Sequence, residues 1–357
     1  MSDTTPRTLA FHNDYHAGAH PAVLNALVRT NGIPQDGYGD DEYSASACEK
    51  IRTAIGQPQA GVSFLVGGTQ TNQLVIDTML NAWEGVISAD TGHVSVHEAG
   101  AIEFSQHKVL TIASHDGLMA PEDIRAFVEA FYADPNHEHM VFPGMVYLSY
   151  PSEFGTLYSK GDLEAIRSIC DEYHMRLFVD GARLGYALGS SAPHLSLPEL
   201  AKLADAFYIG GTKLGALCGE AVVFPNPAGS GLRAQAPQHL TTQIKQHGAL
   251  LAQGRLLGVQ FDALFTDGLY EKIGQKADAL AEQLTDVLLR HGYERYLASP
   301  TNQQFFVMNE QQYERLTRAA QVALWEPPRD GQYIVRLVTS WDTTREMIDE
   351  LDVRLNA

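Results

Sequence analysis

The 357-residue sequence predicts an α/β protein, with a mostly parallel seven-stranded sheet in a large unit (1–250) and a smaller α+β unit (251–357). Three observations lead there. Seven short β-rich runs recur between residues 62 and 224, helix-like periods fill most of the gaps, and the texture changes near residue 245. Strands that alternate with helices argue for a parallel sheet covered on both faces. The C-terminal stretch, about 100 residues, has the size of a second domain.

The runs are "VSFLVGG" (62–68), "GVISAD" (85–90), "KVLTI" (108–112), "MVYLSY" (145–150), "LFVDG" (177–181), "AFYIGG" (206–211) and "EAVVF" (220–224). Between them, "TNQLVIDTMLNAW" (71–83) and "SKGDLEAIRSICDEY" (159–173) place apolar residues at steps of three and four, the helical period. Ser159 with Asp162 three residues later reads as an N-cap. Only "TKLGALCG" separates the sixth and seventh runs, too short for a crossover helix, so that pair should be an antiparallel hairpin. The stretch "FYADPNHEHMVFPG" (131–144) reads as an exposed loop. Beyond it all, 244–265 and 270–292 carry long helical patterns, 303–309 and 333–341 read as strands, and 343–357 as a final amphipathic helix.

Apolar residues make up 45% and charged residues 19%, an ordinary soluble balance, and the net charge is −18. That charge disfavours nucleic acid as a partner, since phosphate backbones need a concentrated basic face. The N-terminal "MSDTTPRTLAFHNDYHAG" lacks the apolar core of a signal peptide, and no run reaches membrane-spanning length, so a cytoplasmic protein is expected. Cys48, Cys170 and Cys218, an odd and scattered set, read as reduced thiols.

The chemistry is concentrated around one lysine. In "AFYIGGTKLGALCGEAVVF" (206–224), Lys213 stands between glycines at the end of an apolar strand. Asp180 ends an earlier strand in "LFVDGARLGY", where ligands bind in open α/β sheets, with Arg183 three residues on. Upstream, "VGGTQTNQL" runs a glycine-rich strand end into a helix, and Gly68, Thr69 and Gln70 offer backbone N–H groups to an anion. An anion cradle, a buried carboxylate and a lysine in this order point to pyridoxal 5′-phosphate: phosphate on the cradle, Asp180 on the pyridine nitrogen, Lys213 as the Schiff-base lysine. Taken singly, each has a plainer reading: a solvated lysine, a common turn, an Asp–Arg structural pair.

His12, His16 and His20 recur at four-residue steps, as metal ligands on a helix do. Gly18 and Pro21 argue against a continuous helix there, and no metal is expected.

The stretches "GYGDDEY", "GGTQTNQ", "GHVSVHEAGAIE", "SEFGTLYS", "LFVDGARLGYAL", "GGTKLGA" and "RLVTSW" span nearly the whole chain. Through them the sequence resembles the fold-type I pyridoxal-phosphate enzymes of the β-eliminating lyase and low-specificity L-threonine aldolase group. The resemblance implies Lys213 as the Schiff-base lysine, Asp180 as the pyridine partner and His93 stacked over the cofactor ring, with Thr212 among the cofactor contacts. It also implies that Arg183 and Arg336 grip the substrate carboxylate, with Asn13 and Tyr38 on the substrate side. A homodimer or homotetramer goes with the family.

In one place the chain departs from the better-known aldolases. Those resemble one another in an "ENTH" stretch whose histidine lies near the substrate hydroxyl; here the equivalent is "SYPSEFG", with Glu153 and no histidine. The leading expectation is cleavage of the Cα–Cβ bond of L-threonine or a related β-hydroxy-α-amino acid to glycine and an aldehyde, with Lys213, His93 and Glu153 as catalytic residues. The alternatives are β-elimination and a non-catalytic pyridoxal-phosphate-binding protein.

Overall fold

The computed structural model describes residues 9–229 and 235–356. The chain opens with α1 (Pro21–Thr30) and α2 (Glu42–Ile55). It then enters a strand–helix alternation: β1 (Gly61–Leu65), α3 (Gly68–Met79), β2 (Glu84–Ala89), the single turns α4 (His93–Val96) and α5 (Ala101–Phe104), and β3 (Val109–Ile112). The alternation continues with α6 (Pro121–Ala133), β4 (Phe142–Ser149), α7 (Lys160–Glu172), β5 (Arg176–Asp180), α8 (Leu184–Gly189), α9 (Leu197–Leu203), β6 (Ala206–Gly210) and β7 (Glu220–Phe224). These strands form one sheet in the order β1-β7-β6-β5-β4-β2-β3.

Pairings from β3 through β6 are parallel, whereas β7 runs antiparallel to both β6 and β1. The hairpin expected from the short 206–224 link is present. The sheet is buried on both sides because alternate residues of one strand feed different cores. Leu177 and Val179 pack with Ile166 and Cys170 of α7, while Phe178 packs with Leu74 and Val75 of α3. Helix α7 starts at the reciprocal Ser159–Asp162 capping box that the sequence suggested.

After residue 235 come α10 (Leu240–Gln246), α11 (Arg255–Leu264), α12 (Leu269–Arg290), β8 (Glu294–Leu297), β9 (Gln303–Asn309), α13 (Glu310–Ala319), β10 (Ala323–Leu324), β11 (Gln332–Val338) and α14 (Arg345–Asn356). The second sheet, β10-β11-β9-β8, is antiparallel throughout. Its core joins Leu284 and Leu288 of α12, Phe306 of β9, Val335 of β11 and Leu351 of α14 to Leu9 and Phe11 from the N-terminal segment. Phe261, Ile273 and Ala277 of α11 and α12 belong instead to the core of the large sheet.

Several expectations needed correction. The helical pattern over 244–265 is two helices, because Gly248 takes φ +67° and a Cβ on Gly254 would lie 2.4 Å from the Gly39 nitrogen. Helix α3 begins at Gly68, three residues before the apolar period starts, since Gly67 rather than a side chain caps it. The loop expected at 131–144 holds the end of α6, a 3₁₀ turn at His137–His139 and the start of β4. Among the described residues, no helix is long and apolar enough to cross a membrane.

Candidate active site

At the carboxyl ends of the parallel strands lies a cavity of about 310 Å³ whose walls include Gly67, Gly68, Thr69, His93, Glu153, Asp180, Arg183, Thr212, Lys213 and Glu220. They come from the ends of β1, β2, β4, β5 and β6 or the segments that follow them, and from the head of β7, as the crossover topology requires. The β1–α3 loop supplies the anion cradle. The first intrahelical bond there is Thr71 N–H to Gly67 C=O at 3.0 Å, which leaves the N–H groups of Gly68, Thr69 and Gln70 without a helical acceptor. A Cβ on Gly67 would meet no heavy atom within 4 Å, so the backbone is bare on that side. The Gln70 side chain turns away: its Oε1 accepts from the Val66 N–H at 3.3 Å.

Asp180, the last residue of β5, is 4% exposed. Tyr147 Oη donates to its Oδ2 at 2.6 Å and Asn72 Nδ2 at 3.0 Å, while the Ala182 N–H (2.9 Å) and the Tyr208 hydroxyl donate to Oδ1. Burial pushes this carboxyl up, but the His93 charge and the two tyrosine hydroxyls outweigh it and hold the group below its usual range. It is therefore a carboxylate fixed in an otherwise closed floor, able to sustain a cationic ring nitrogen.

His93 opens α4. Its Nδ1 lies 2.7 Å from Glu98 Oε1, which also accepts from Asn72 at 2.8 Å, and its backbone N–H donates to Glu153 Oε1 at 2.9 Å. Ser149 Oγ donates to the same Glu153 oxygen at 2.6 Å. Burial pushes the Glu153 carboxyl up from the usual carboxylate range despite those donors.

Lys213 sits on the tight turn Thr212–Leu214 after β6. Among the described residues its Nζ makes no hydrogen bond. Burial first, and then the Arg183 charge, push its amine down from the ordinary lysine range. A desolvated amine repelled by a neighbouring cation is a nucleophile in waiting.

The two arginines differ. Arg183 is held by Asp14 through two bonds, Nε–Oδ2 at 2.8 Å and Nη2–Oδ1 at 3.0 Å, and Asn302 Nδ2 adds a third donor to Asp14 at 3.0 Å. Burial raises the Asp14 carboxyl, but Arg183 and Lys213 overcome it and hold it at about 2. Arg336, on β11, pairs with no carboxylate among the described residues. It donates to Gln303 Oε1 (3.2 Å) and the His12 carbonyl (3.4 Å) and lies 5.0 Å from the Trp325 ring. Its Nε is buried without a partner, and burial together with Arg183 pushes its pKa down to about 10. Such a guanidinium gains most from an incoming carboxylate.

Residues 12–322 match the family described as Beta-eliminating lyase. The chain belongs to that family. It is 28% identical over 360 residues to the low specificity L-threonine aldolase of Pseudomonas sp. (strain NCIMB 10558), covering 99% of each. Against the low specificity L-threonine aldolase of Pseudomonas aeruginosa it is 28% identical over 359 residues, covering 98% of this chain and 99% of the relative. Among solved structures, Leishmania major threonine aldolase superposes with a TM-score of 0.91 at 38% identity, covering 97% of this chain and 98% of that one. Aspartate aminotransferase from Thermus thermophilus shares the fold, with a TM-score of 0.67 at 16% identity over 97% of this chain and 90% of that one.

Within this lyase-family chain, the cavity brings together Gly68, Thr69, His93, Glu153, Asp180, Arg183, Thr212 and Lys213. Arg336 is not among the residues that line the cavity, but Arg183, which is, acts on it electrostatically. Asn13 spends its side chain on a local turn, accepting from the Tyr15 N–H at 2.9 Å. Tyr38 lies elsewhere in the chain: it is 51% exposed, with Lys245 Nζ 4.7 Å from its ring centre, and lines a separate hollow with Asp40 and Ser44. Two members of the histidine series have structural partners. His16 pairs with Asp342 at 3.2 Å, and His20 Nδ1 caps α1 by accepting from the Ala22 N–H at 3.2 Å. Sequence reasoning passed over Asp14, Asn72, Glu98, Tyr147, Tyr208 and Glu220. Only Glu220 carried a signal, a charge at the head of the wholly apolar run "EAVVF".

Proposed function

We propose that this chain is a pyridoxal-phosphate-dependent lyase that cleaves the Cα–Cβ bond of L-threonine or a related β-hydroxy-α-amino acid to glycine and an aldehyde. The observation that carries the reading is Lys213: a partly buried amine, unpaired among the described residues and pushed below the lysine range, facing a four-donor carboxylate across one cavity. The bare Gly67 backbone and the three free N–H groups of the cradle fit a phosphate, and Asp180 fits a protonated pyridine nitrogen. When bound, pyridoxal phosphate supplies the electron sink that lets a bond at Cα break.

The chain's own residues do the rest. Lys213 holds the cofactor aldehyde, the N–H groups of Gly68, Thr69 and Gln70 hold the phosphate, Thr212 stands beside them, and His93 covers the ring. Arg336 receives the substrate carboxylate, with Arg183 as a rigid wall fixed by Asp14, so that the substrate is oriented before any bond breaks. Glu153 accepts the β-hydroxyl proton through the oxygen that Ser149 and His93 leave free. The reading includes a homodimer or homotetramer in the cytoplasm. The exposed Leu24 and Val28, four residues apart on α1, support an interface, and the three free thiols support the compartment.

Mass spectrometry of products across a panel of L-amino acids tests the activity. Glycine with an aldehyde from threonine or phenylserine is expected. Keto acid and ammonia would place the enzyme among the β-eliminating members instead, and no turnover would leave a binding protein.

A further inference from the structure

Glu220 is a carboxylic acid inside the same cavity that none of the roles above uses. It heads β7 and is 4% exposed. Strand register sets it opposite Leu65 on one side, two residues before Gly67 of the cradle, and opposite Gly210 on the other, three residues before Lys213. Its Oε2 accepts from the Gly211 N–H at 3.0 Å, and its Oε1 accepts from Thr212 Oγ1 at 2.8 Å. Thr212 Oγ1 in turn accepts from the Gly219 N–H at 3.1 Å. Both Glu220 contacts are thus made to the two residues that immediately precede Lys213, and the short turn after β6 hangs from this carboxyl group.

We propose that Glu220 is the positioning residue of Lys213: it fixes the turn that presents the amine and, by its own charge, sets the pH at which Lys213 gives up its proton. This rests on the reading of Lys213 as the cofactor lysine. Glu220 and Lys213 line one cavity and make no ion pair within 4.0 Å among the described residues, so they act on each other through space. The other groups that bear on Glu220 are Asp180 at the end of β5, Tyr208 on β6 and Tyr270 on α12. Asp180 is a fixed anion, and both tyrosines are pushed up by burial and stay neutral. Lys213 is therefore the titrating partner. Burial pushes the Glu220 carboxyl up to about 7 and pushes the Lys213 amine down from the ordinary lysine range, so the two titrations are drawn toward each other. Two interacting groups of this kind lose their protons in steps that belong to the pair.

The experiment is a pH titration of the visible absorbance of the full-length, pyridoxal-phosphate-loaded protein, wild type against Glu220→Gln. Glutamine keeps an acceptor for Gly211 and removes the charge. The wild type should titrate in two overlapping steps. Glu220→Gln should titrate in one, with its midpoint displaced downward by about one pH unit or more, because a cation loses its anionic neighbour. Superimposable curves would overturn the proposal and reduce Glu220 to a turn-holding role. If Glu220→Gln does not fold, Glu220→Asp serves: retention of the two-step curve supports the charge role, and a single step refutes it. A borohydride-stable cofactor adduct that persists in Lys213→Ala would instead sink the assignment of Lys213 itself, an outcome the Glu220 titrations cannot mimic.

Discussion

Asp180 and Asp278 are both buried, at 4% and 5% exposure, and they behave as opposites. Asp180, on the cavity floor, receives four donors and is held below the usual carboxylate range. Asp278, on α12 where it packs against α8, has no hydrogen-bond partner at either oxygen and is pushed up to about 9 by burial, with Glu282 adding to the shift. Glu153 and Glu220 fall between, with fewer donors and raised carboxyls, Glu220 at about 7. Burial alone does not decide the charge of a carboxyl; nearby charge and the donors aimed at it do. The active site keeps Asp180, and Asp14 behind Arg183, ionised and leaves others poised.

Glu153→Gln probes the poised class and has the largest expected effect. Aldol cleavage should fall by roughly 10²–10⁴, the usual size for a lost general base. Exchange of the glycine α-proton, followed by NMR, should persist, since no β-hydroxyl is involved. Equal losses in both rates would make Glu153 structural.

Asp180→Asn tests the ionised class. It should keep the cofactor and lose about 10²–10³ in kcat, the scale of one removed electrostatic partner; near-wild-type turnover would take Asp180 out of the mechanism. Removing a single donor with Tyr147→Phe should cost less, about tenfold in kcat, because three donors remain. A Tyr147→Phe enzyme as impaired as Asp180→Asn would break the donor-count argument.

Asp278→Asn should leave turnover unchanged and alter only stability. The unfolded chain gives up this proton above about pH 4, whereas the folded protein keeps it until about 9. Stability therefore declines as pH rises through that window and levels off beyond it. The variant should gain a few degrees or more in Tm at pH 8 and about nothing at pH 4, by scanning calorimetry at both values. A gain that is the same at both would mean the carboxyl is not buried as a neutral acid.

Much of this was legible before the structure. The sheet, its reversed last strand and the Ser159 cap follow from local pattern, because strand period, link length and capping chemistry are all written within a few residues. Lys213, Asp180 and the Gly68 cradle were legible because each marks a strand end with a residue out of keeping with its apolar run. The donors to Asp180 were not. Tyr147 and Tyr208 sit inside strands where an aromatic residue looks like any core residue, and only the alternation of faces turns their hydroxyls to the floor. Asp14 was hidden for another reason: its partner Arg183 lies 169 residues away, and nothing local signals a long-range pair. Helix α13 could have been read from Asn309 and Gln312, which form a capping box, and was passed over because the neighbouring strand pattern dominates.

Among the described residues strand β1 has one neighbour only, and that neighbour is β7, the last strand of the sheet in the chain. On a ribosome adding about 5–20 residues each second, β1 waits on the order of ten seconds for its partner to be made. Until then Gly61–Leu65 is an unpaired edge, a hazard for the nascent chain, and the Gly67 cradle that follows it has nothing to hold it against Lys213. The same hairpin that carries Lys213 and Glu220 is the piece that closes the sheet. Closure of the large sheet and creation of the cavity around Lys213 are therefore one event in the life of the chain, and a polypeptide stopped short of Phe224 should gain no protection from pyridoxal phosphate.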